Sequence, residues 1–449
     1  MNGSRKMAGL AIIAALGLCL GSAVNVAAQT PAAGQQDAGQ AKQPYTMAEY
    51  NAYQAAAADK NPAQQVKELD DFVSKYPNSA LLVYVYPLYF QAYGALKNYA
   101  KVIEYADKVA AQGDKIDPGV RYQALYARAF AYNAMNSTNP ADAKAAQAAA
   151  VEGLKALDQL KKPDNMTDDA FAAQKKQIQL YFNGTAAQAA LNQKDYPSAI
   201  QFYKAILALN PDDAVTYYRL GTAYNSLNPP QTMDAFWSFA KAVTAKSANQ
   251  KQSQQVKDYL RKLIANYQGG NVCDNLTDAE LNELLQLAGS SADRPDSYKL
   301  PSSADLDAAR KDMTIASVIA DLKAGGDKGK TTWLASCGLE FPDVPGKLIE
   351  STPGTDVIEM KIAFVTSDAE FQAATVANMD VKVVGQPEAA RVEKDNPVRF
   401  TGTLVSFDPD PAFMLHFDKA KVNAEDIPKD KETKKPPVRR PAARKPSSH

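Results

Sequence analysis

Ala324-Gly-Gly-Asp-Lys-Gly-Lys330-Thr331 sets Gly329, Lys330 and Thr331 where a phosphate-binding loop carries its Gly-Lys-Thr, so nucleotide binding is the first chemistry to weigh. Such a loop needs a buried strand before it, a helix after it and an acidic magnesium partner at the end of a second strand. Asp312–Leu322 reads as a helix instead, and no apolar strand ending in an acid follows. The stretch is therefore expected to be a glycine-rich turn between domains. Histidine is scarce, with only His416 and His449 in 449 residues. That excludes multi-histidine metal sites and leaves any serine or cysteine triad dependent on His416, for example paired with Cys337. His416 falls between Leu415 and Phe417 in a strand pattern, where it faces solvent or completes a sheet surface. Asp408 and Asp410 offer paired carboxylates or a calcium loop, but Asp-Pro-Asp-Pro is ordinary turn chemistry. No catalytic constellation, metal site or cofactor site emerges, and the expectation is a non-enzymatic protein.

The N-terminus carries Arg5 and Lys6, an apolar run at Ala8–Leu20 and small residues at Val26-Ala27-Ala28. This is the pattern of a cleaved export signal of bacterial type, too short for a comfortable membrane span. Residues 1–28 are thus expected to be a signal peptide, placing the chain in the periplasm or outside the cell; the other reading is a retained anchor. Leu18 before Cys19 is too large for the usual lipoprotein cleavage site. The remaining Cys273 and Cys337 either form a disulfide, as suits an oxidising compartment, or stay as two buried thiols.

Charge is uneven although it sums to zero. From Lys429 to His449 eight cations, including Lys434, Lys435, Arg439, Arg440, Arg444 and Lys445, face only Asp430 and Glu432, a net of +6. With the signal near +2, the body before the tail sits near −8. Four prolines and no aromatic residue from Lys429 onward make the segment 426–449 read as a disordered tail. It is either an arm for an anionic surface (lipid head groups, cell-wall polymers or an acidic protein) or a solubilising tail. Nucleic acid is not expected as a partner of an exported chain.

The elements beneath these residues repeat. In 180–213, Asp195-Tyr196-Pro197 separates two helical patterns and Ala199, Tyr203, Ile206 and Pro211 follow. In 214–242, Tyr217, Leu220, Gly221 and Tyr224 precede Ala235, Phe239 and Ala242, the inter-helix loop at Asn228-Pro229-Pro230 being two residues longer. Small residues belong where two helices cross closely, and aromatics fill the spaces between pairs. A helix pair cannot bury its apolar face alone, so recurrence at 34 residues implies stacked neighbours. Looser copies lie at 46–77 (Ala52, Tyr53, Ala56, Leu69, Phe72, Pro77), 80–118 (Tyr99, Val102, Ala106, Val109, Pro118) and 119–163 (Tyr122, Leu125, Tyr126), with a capping helix at Val256–Tyr267.

These residues resemble the tetratricopeptide repeat (TPR) family over about half the chain. The 180–213 copy departs from the pattern at Asn183, Ala186 and Ala187. The resemblance implies a mainly α fold, a TPR-type solenoid of antiparallel helix pairs over 46–268, with a concave groove for protein segments. Carried onto the two good copies, the groove residues are Tyr181, Gln188 and Asn192, then Tyr218, Thr222 and Asn225. Of a terminal-carboxylate clamp only Arg219 and Asn225 are present.

Around the repeats, 29–45 reads as a flexible leader and 269–340 as a helical connector. The connector holds helices at Thr277–Leu287, with Thr277 and Glu280 at capping-box spacing, and at Ser303–Leu322. From about 341 to 425 the period shortens. Lys347–Glu350, Val357–Val365, Asp380–Val384, Val398–Phe407 and Ala412–Phe417 alternate as strands, the last two flanking a proline-rich turn. Five short strands are best hidden in a small closed barrel, which resembles an oligonucleotide/oligosaccharide-binding (OB) barrel. The function expected is a protein-interaction scaffold in the bacterial cell envelope. The alternative is a module that binds glycan or cell-wall polymer through the barrel and the basic tail.

Overall fold

The computed structural model describes residues 44–429 apart from 113–115, 138 and 410. The signal, most of the leader, Asp410 and the tail cations Lys434, Lys435, Arg439, Arg440, Arg444 and Lys445 lie outside the described residues. Contacts divide the chain into two units, one reaching Asp258 and adding Leu284–Pro295, the other holding Tyr259–Glu283 and everything from Asp296.

The first unit is a solenoid of antiparallel helix pairs: α1 (Met47–Ala58) with α2 (Pro62–Lys75), α3 (Leu82–Ala95) with α4 (Tyr99–Ala110), α5 (Pro118–Met135) with α6 (Pro140–Gln159), α7 (Asp168–Asn192) with α8 (Tyr196–Leu209), and α9 (Ala214–Asn225) with α10 (Thr232–Thr244). Each helix packs on the next in sequence, and α3 also meets α5, and α5 meets α7. This is a TPR-like arrangement. Four of its helix starts share one rule: an Asn or Asp side chain accepts from the first free N–H groups and proline follows within two residues, at Asn61, Asp117, Asn139 and Asp195. Proline there loses nothing, because its missing N–H belongs to the unpaired first turn.

The turn inside a pair also recurs. Lys97 and Lys194 take left-handed φ of 58° and 60°. Behind them Asn98 N donates to Tyr93 O at 2.9 Å, and Asp195 N to Ala190 O at 2.9 Å, capping the preceding carbonyls. In the last pair the longer loop spans the same gap, with Gln231 N donating to Tyr224 O at 3.2 Å. Small residues sit at the crossings as their types demand. A Cβ on Gly221 would lie 2.9 Å from the Phe239 ring, and one on Gly153 2.4 Å from that of Phe182; Ala199, Ala235 and Phe239 are fully buried.

Both α11 (Gln250–Tyr267) and α12 (Asp274–Ser290) are divided between the two units. The second unit adds α13 (Ser303–Lys311), α14 (Ile315–Ala324), α15 (Gly326–Ser336) and five strands: β1 (Glu340–Pro353), β2 (Val357–Phe364), β3 (Met379–Val384), β4 (Pro397–Asp408) and β5 (Met414–Val422), with a short α16 (Asp368–Ala373) after β2. The strands close as a barrel in the order β1-β2-β3-β5-β4, with β3 and β5 parallel and the other pairs antiparallel. Its interior, including Leu348, Met360, Val381, Phe400 and Phe417, shares one core with Ile315, Val318, Ile319 and Leu322 of α14. Gly346 holds β1 against β2, where a Cβ would lie 2.2 Å from Ile362 Cγ2 and 2.9 Å from Ala363 O. Gly346→Ala is expected to destabilise the barrel by about 1–3 kcal/mol through overpacking, measured by Trp333 fluorescence in denaturant.

The structure corrects four local expectations. The helix expected over Ser303–Leu322 is two: Asp312 leaves helical geometry, and Thr314 caps α14 by accepting from Ser317 N. Thr277 and Glu280 are not an N-terminal box but buried positions inside α12. The glycine-rich stretch is a turn only at Gly325 and Gly326, whose φ values are 66° and 64°; Lys328, Lys330 and Thr331 belong to α15. Gly329 serves packing, since a Cβ there would lie 2.8 Å from Asp321 O. Finally, the strand expected at Lys347–Glu350 is the middle of a longer β1, whose pattern Pro342, Pro345 and a bulge between Phe341 and Val344 conceal.

Candidate partner-binding cleft

At the ends of α5 and α7 the solenoid leaves a cleft of about 80 Å³, lined among others by Tyr132, Asn133, Asn136, Asp142, Gln188 and Asn192. Three elements place these groups. Asn133 lies in the last turn of α5, Asn136 is that helix's left-handed cap at φ 48°, and Asp142 is in the first turn of α6. Gln188 and Asn192 lie four residues apart near the end of α7 and so face the same way. Gln188 Nε2 donates to Asn192 Oδ1 at 3.0 Å. Asn133 Nδ2 donates to Thr185 Oγ1 at 2.7 Å and to the Tyr181 hydroxyl at 3.2 Å, which fixes its amide on the cleft wall. Thr185 Oγ1 in turn donates to Tyr181 O at 3.0 Å.

Tyr181 itself faces the α5–α7 packing. Its ring centre is 4.8 Å from that of Tyr126, and burial pushes its hydroxyl pKa up, so the phenol stays protonated. The α9 residues line no part of this cleft. Tyr218 is half-buried with its ring 5.7 Å from Phe239. Thr222 is exposed and donates to Tyr218 O at 3.0 Å, while Asn225 is half-buried. Of the six groove residues expected from the sequence, Gln188 and Asn192 are thus brought together. Asn133, Asn136 and Asp142 join them without having been singled out; the local signal was an amide near the C-terminal end of α5 and of α7.

Two chemistries weighed above meet structural obstacles. Cys273 and Cys337 are joined by a disulfide with Cα atoms 6.1 Å apart, so Cys337 is not a thiol nucleophile for His416. His416 instead sits between carboxylates, Nδ1 3.2 Å from Asp380 Oδ2 and Nε2 2.9 Å from Asp408 Oδ2, and Lys361 pairs with Asp380 at 2.9 Å. This is a polar ladder across the strands on the barrel's outer face. Lys328 and Lys330 of the glycine-rich stretch are engaged by Asp321 and Glu283, each at 2.8 Å. Among the described residues no cluster of three or more His, Cys, Asp or Glu is placed to hold a metal, and no helix is long and apolar enough to cross a membrane.

No family model matches the chain, and no curated protein matches it. Among solved structures, the TPR2AB-domain:pHSP90-complex of yeast Sti1 is similar at 14% identity, over 54% of this chain and 96% of that one, with a TM-score of 0.19. So loose a superposition adds nothing to the arrangement of helix pairs described above.

Proposed function

We propose that the chain is a non-enzymatic scaffold of the bacterial cell envelope, whose solenoid holds an extended segment of a partner protein at the cleft between α5, α6 and α7. One observation carries this reading: the side-chain amides of Asn133, Asn136, Gln188 and Asn192 line a single cleft. Asn133 Nδ2 is engaged by Thr185 and Tyr181, so its Oδ1 serves as an acceptor, while the other amides offer both donor and acceptor groups; such a row matches the main chain of an extended segment whatever its side chains. The volume, about 80 Å³, is well below the roughly 300 Å³ and more of cofactor sites. It suits one inserted side chain. The export signal and the basic tail supply the setting and a second, electrostatic contact with an anionic surface.

The test is Asn133→Ala with Gln188→Ala and Asn192→Ala in the mature full chain. Each lost hydrogen bond is worth about 0.5–1.5 kcal/mol, so partner affinity should fall by roughly tenfold or more while far-ultraviolet circular dichroism stays unchanged. Unaltered affinity would remove the cleft from the account. Retention on cell-wall polymer by this same variant, with no protein partner, would favour glycan binding by the barrel.

A further inference from the structure

Gln268, at the end of α11, and Glu280, inside α12, are 0% and 3% exposed. Gln268 Nε2 donates to Glu280 Oε2 at 2.7 Å, while Gln268 Oε1 and Glu280 Oε1, both acceptors, find no hydrogen-bond partner among the described residues. A charged carboxylate here would bury an ion with one oxygen unsatisfied and leave a buried amide oxygen equally unpaired, each costly. One proton removes both faults. We infer that Glu280 is held as the neutral acid and closes a reciprocal acid–amide pair with Gln268, its Oε1–H donating to Gln268 Oε1, so that the α11–α12 hairpin carries a proton-held latch.

The groups facing Glu280 agree. On its own helix Thr277 is buried and Glu283 adds a like charge; Tyr298 packs nearby from the segment after α12. Lys330 of α15 acts on it as a cation but is itself paired with Glu283 at 2.8 Å. Burial is the main force raising the Glu280 pKa above 4.5, with Glu283 adding to it and Gln268 and Lys330 opposing. Elsewhere the hairpin is held independently. Gly269 and Gly270 turn it at φ 85° and 75°, and Arg261 bridges Asp274 at 3.0 Å and Asp278 at 2.6 Å.

The sign follows from the direction of the shift. A carboxyl with a raised folded-state pKa adds stability that is fully present below its ordinary 4.5 and is lost as pH climbs through the raised value. Glu280→Gln keeps the shape and supplies a permanent N–H to Gln268 Oε1. Measured against the pH series of this variant, the wild-type folding equilibrium should weaken by up to about tenfold for each pH unit between 4.5 and the raised Glu280 value, and level off above it. The two should converge near pH 4.5. Isotope-edited infrared spectra of the wild type with labelled glutamate give a direct reading whatever the variant does. A protonated carbonyl band that is absent from Glu280→Gln and persists above the ordinary carboxylate range supports the latch. Loss of all such bands within the ordinary carboxylate range, or a Glu280→Gln protein that is less stable than wild type at every pH, overturns it.

Discussion

Phe182→Ala should destabilise the solenoid by about 3–5 kcal/mol, the range for emptying a buried aromatic position. Phe182 is fully buried on α7. Its ring meets Tyr122 and Tyr126 of α5 edge-on at 6.2 and 5.9 Å and lies directly over Gly153 of α6. It therefore joins three helices of two neighbouring pairs. The glycine sharpens the test. Gly153→Ala alone drives a Cβ to within 2.4 Å of the ring and should cost about 1–3 kcal/mol. In the Phe182→Ala background the same change should be neutral or stabilising, because the ring is gone and alanine is the better helix former by about 0.5–1 kcal/mol. Such sign reversal marks direct contact. Trp237, buried in α10, reports the transition once Trp333 is replaced by Phe; additive effects of the two substitutions would show that the helices do not meet there.

The second large effect concerns the bridge. Cys273 and Cys337 are separated by 64 residues, and closing a loop of that length removes about 4 kcal/mol of unfolded-chain entropy. Cys273→Ala with Cys337→Ala, both small and buried-compatible, should lower the stability of the barrel unit by about that amount. The readout is Trp333, whose ring centre lies 4.9 Å from Phe407 of β4, in a Trp237→Phe background. Reductant added to the parent protein should reproduce the loss, and should do nothing to the double variant. A parent protein indifferent to reductant would mean that the unfolded chain is already held compact by other means.

What the sequence made legible follows from how local each signal was. Gly221, Ala235 and Phe239 announce a close helix crossing because their sizes permit nothing else, and 0% exposure of Ala235 and Phe239 agrees. The five strands were visible from alternation, since one face of each fills the barrel. The break at Asp312 was missed although Thr314 and Ser317 spell a helix start, because apolar periodicity runs on through Met313 and Ile315. The role of Thr277 and Glu280 was misread for the opposite reason: the spacing fits a cap, but burial by Gln268 and Tyr298 comes from segments that only tertiary structure brings near. The cleft depends on the same kind of information. Asn133 reaches Thr185 across 52 residues, and that adjacency is set by α5 lying on α7 rather than by any pattern within either helix. Gln188 and Asn192 were found because the repeat resemblance carried them; Asn136 has no repeat position and shows itself only through its left-handed cap.

The claim at the centre is that Asn133, Gln188 and Asn192 meet a partner's extended main chain. A photo-crosslinking residue in place of Gln188 in the mature full chain, irradiated in envelope extracts and mapped by mass spectrometry, tests it most directly, with the same probe at exposed Glu152 of α6 as control. The account predicts crosslinks from position 188 to one contiguous stretch of a protein partner, lost on Asn133→Ala with Asn192→Ala and absent from position 152. Crosslinks of equal yield and scattered sequence from both positions would contradict it.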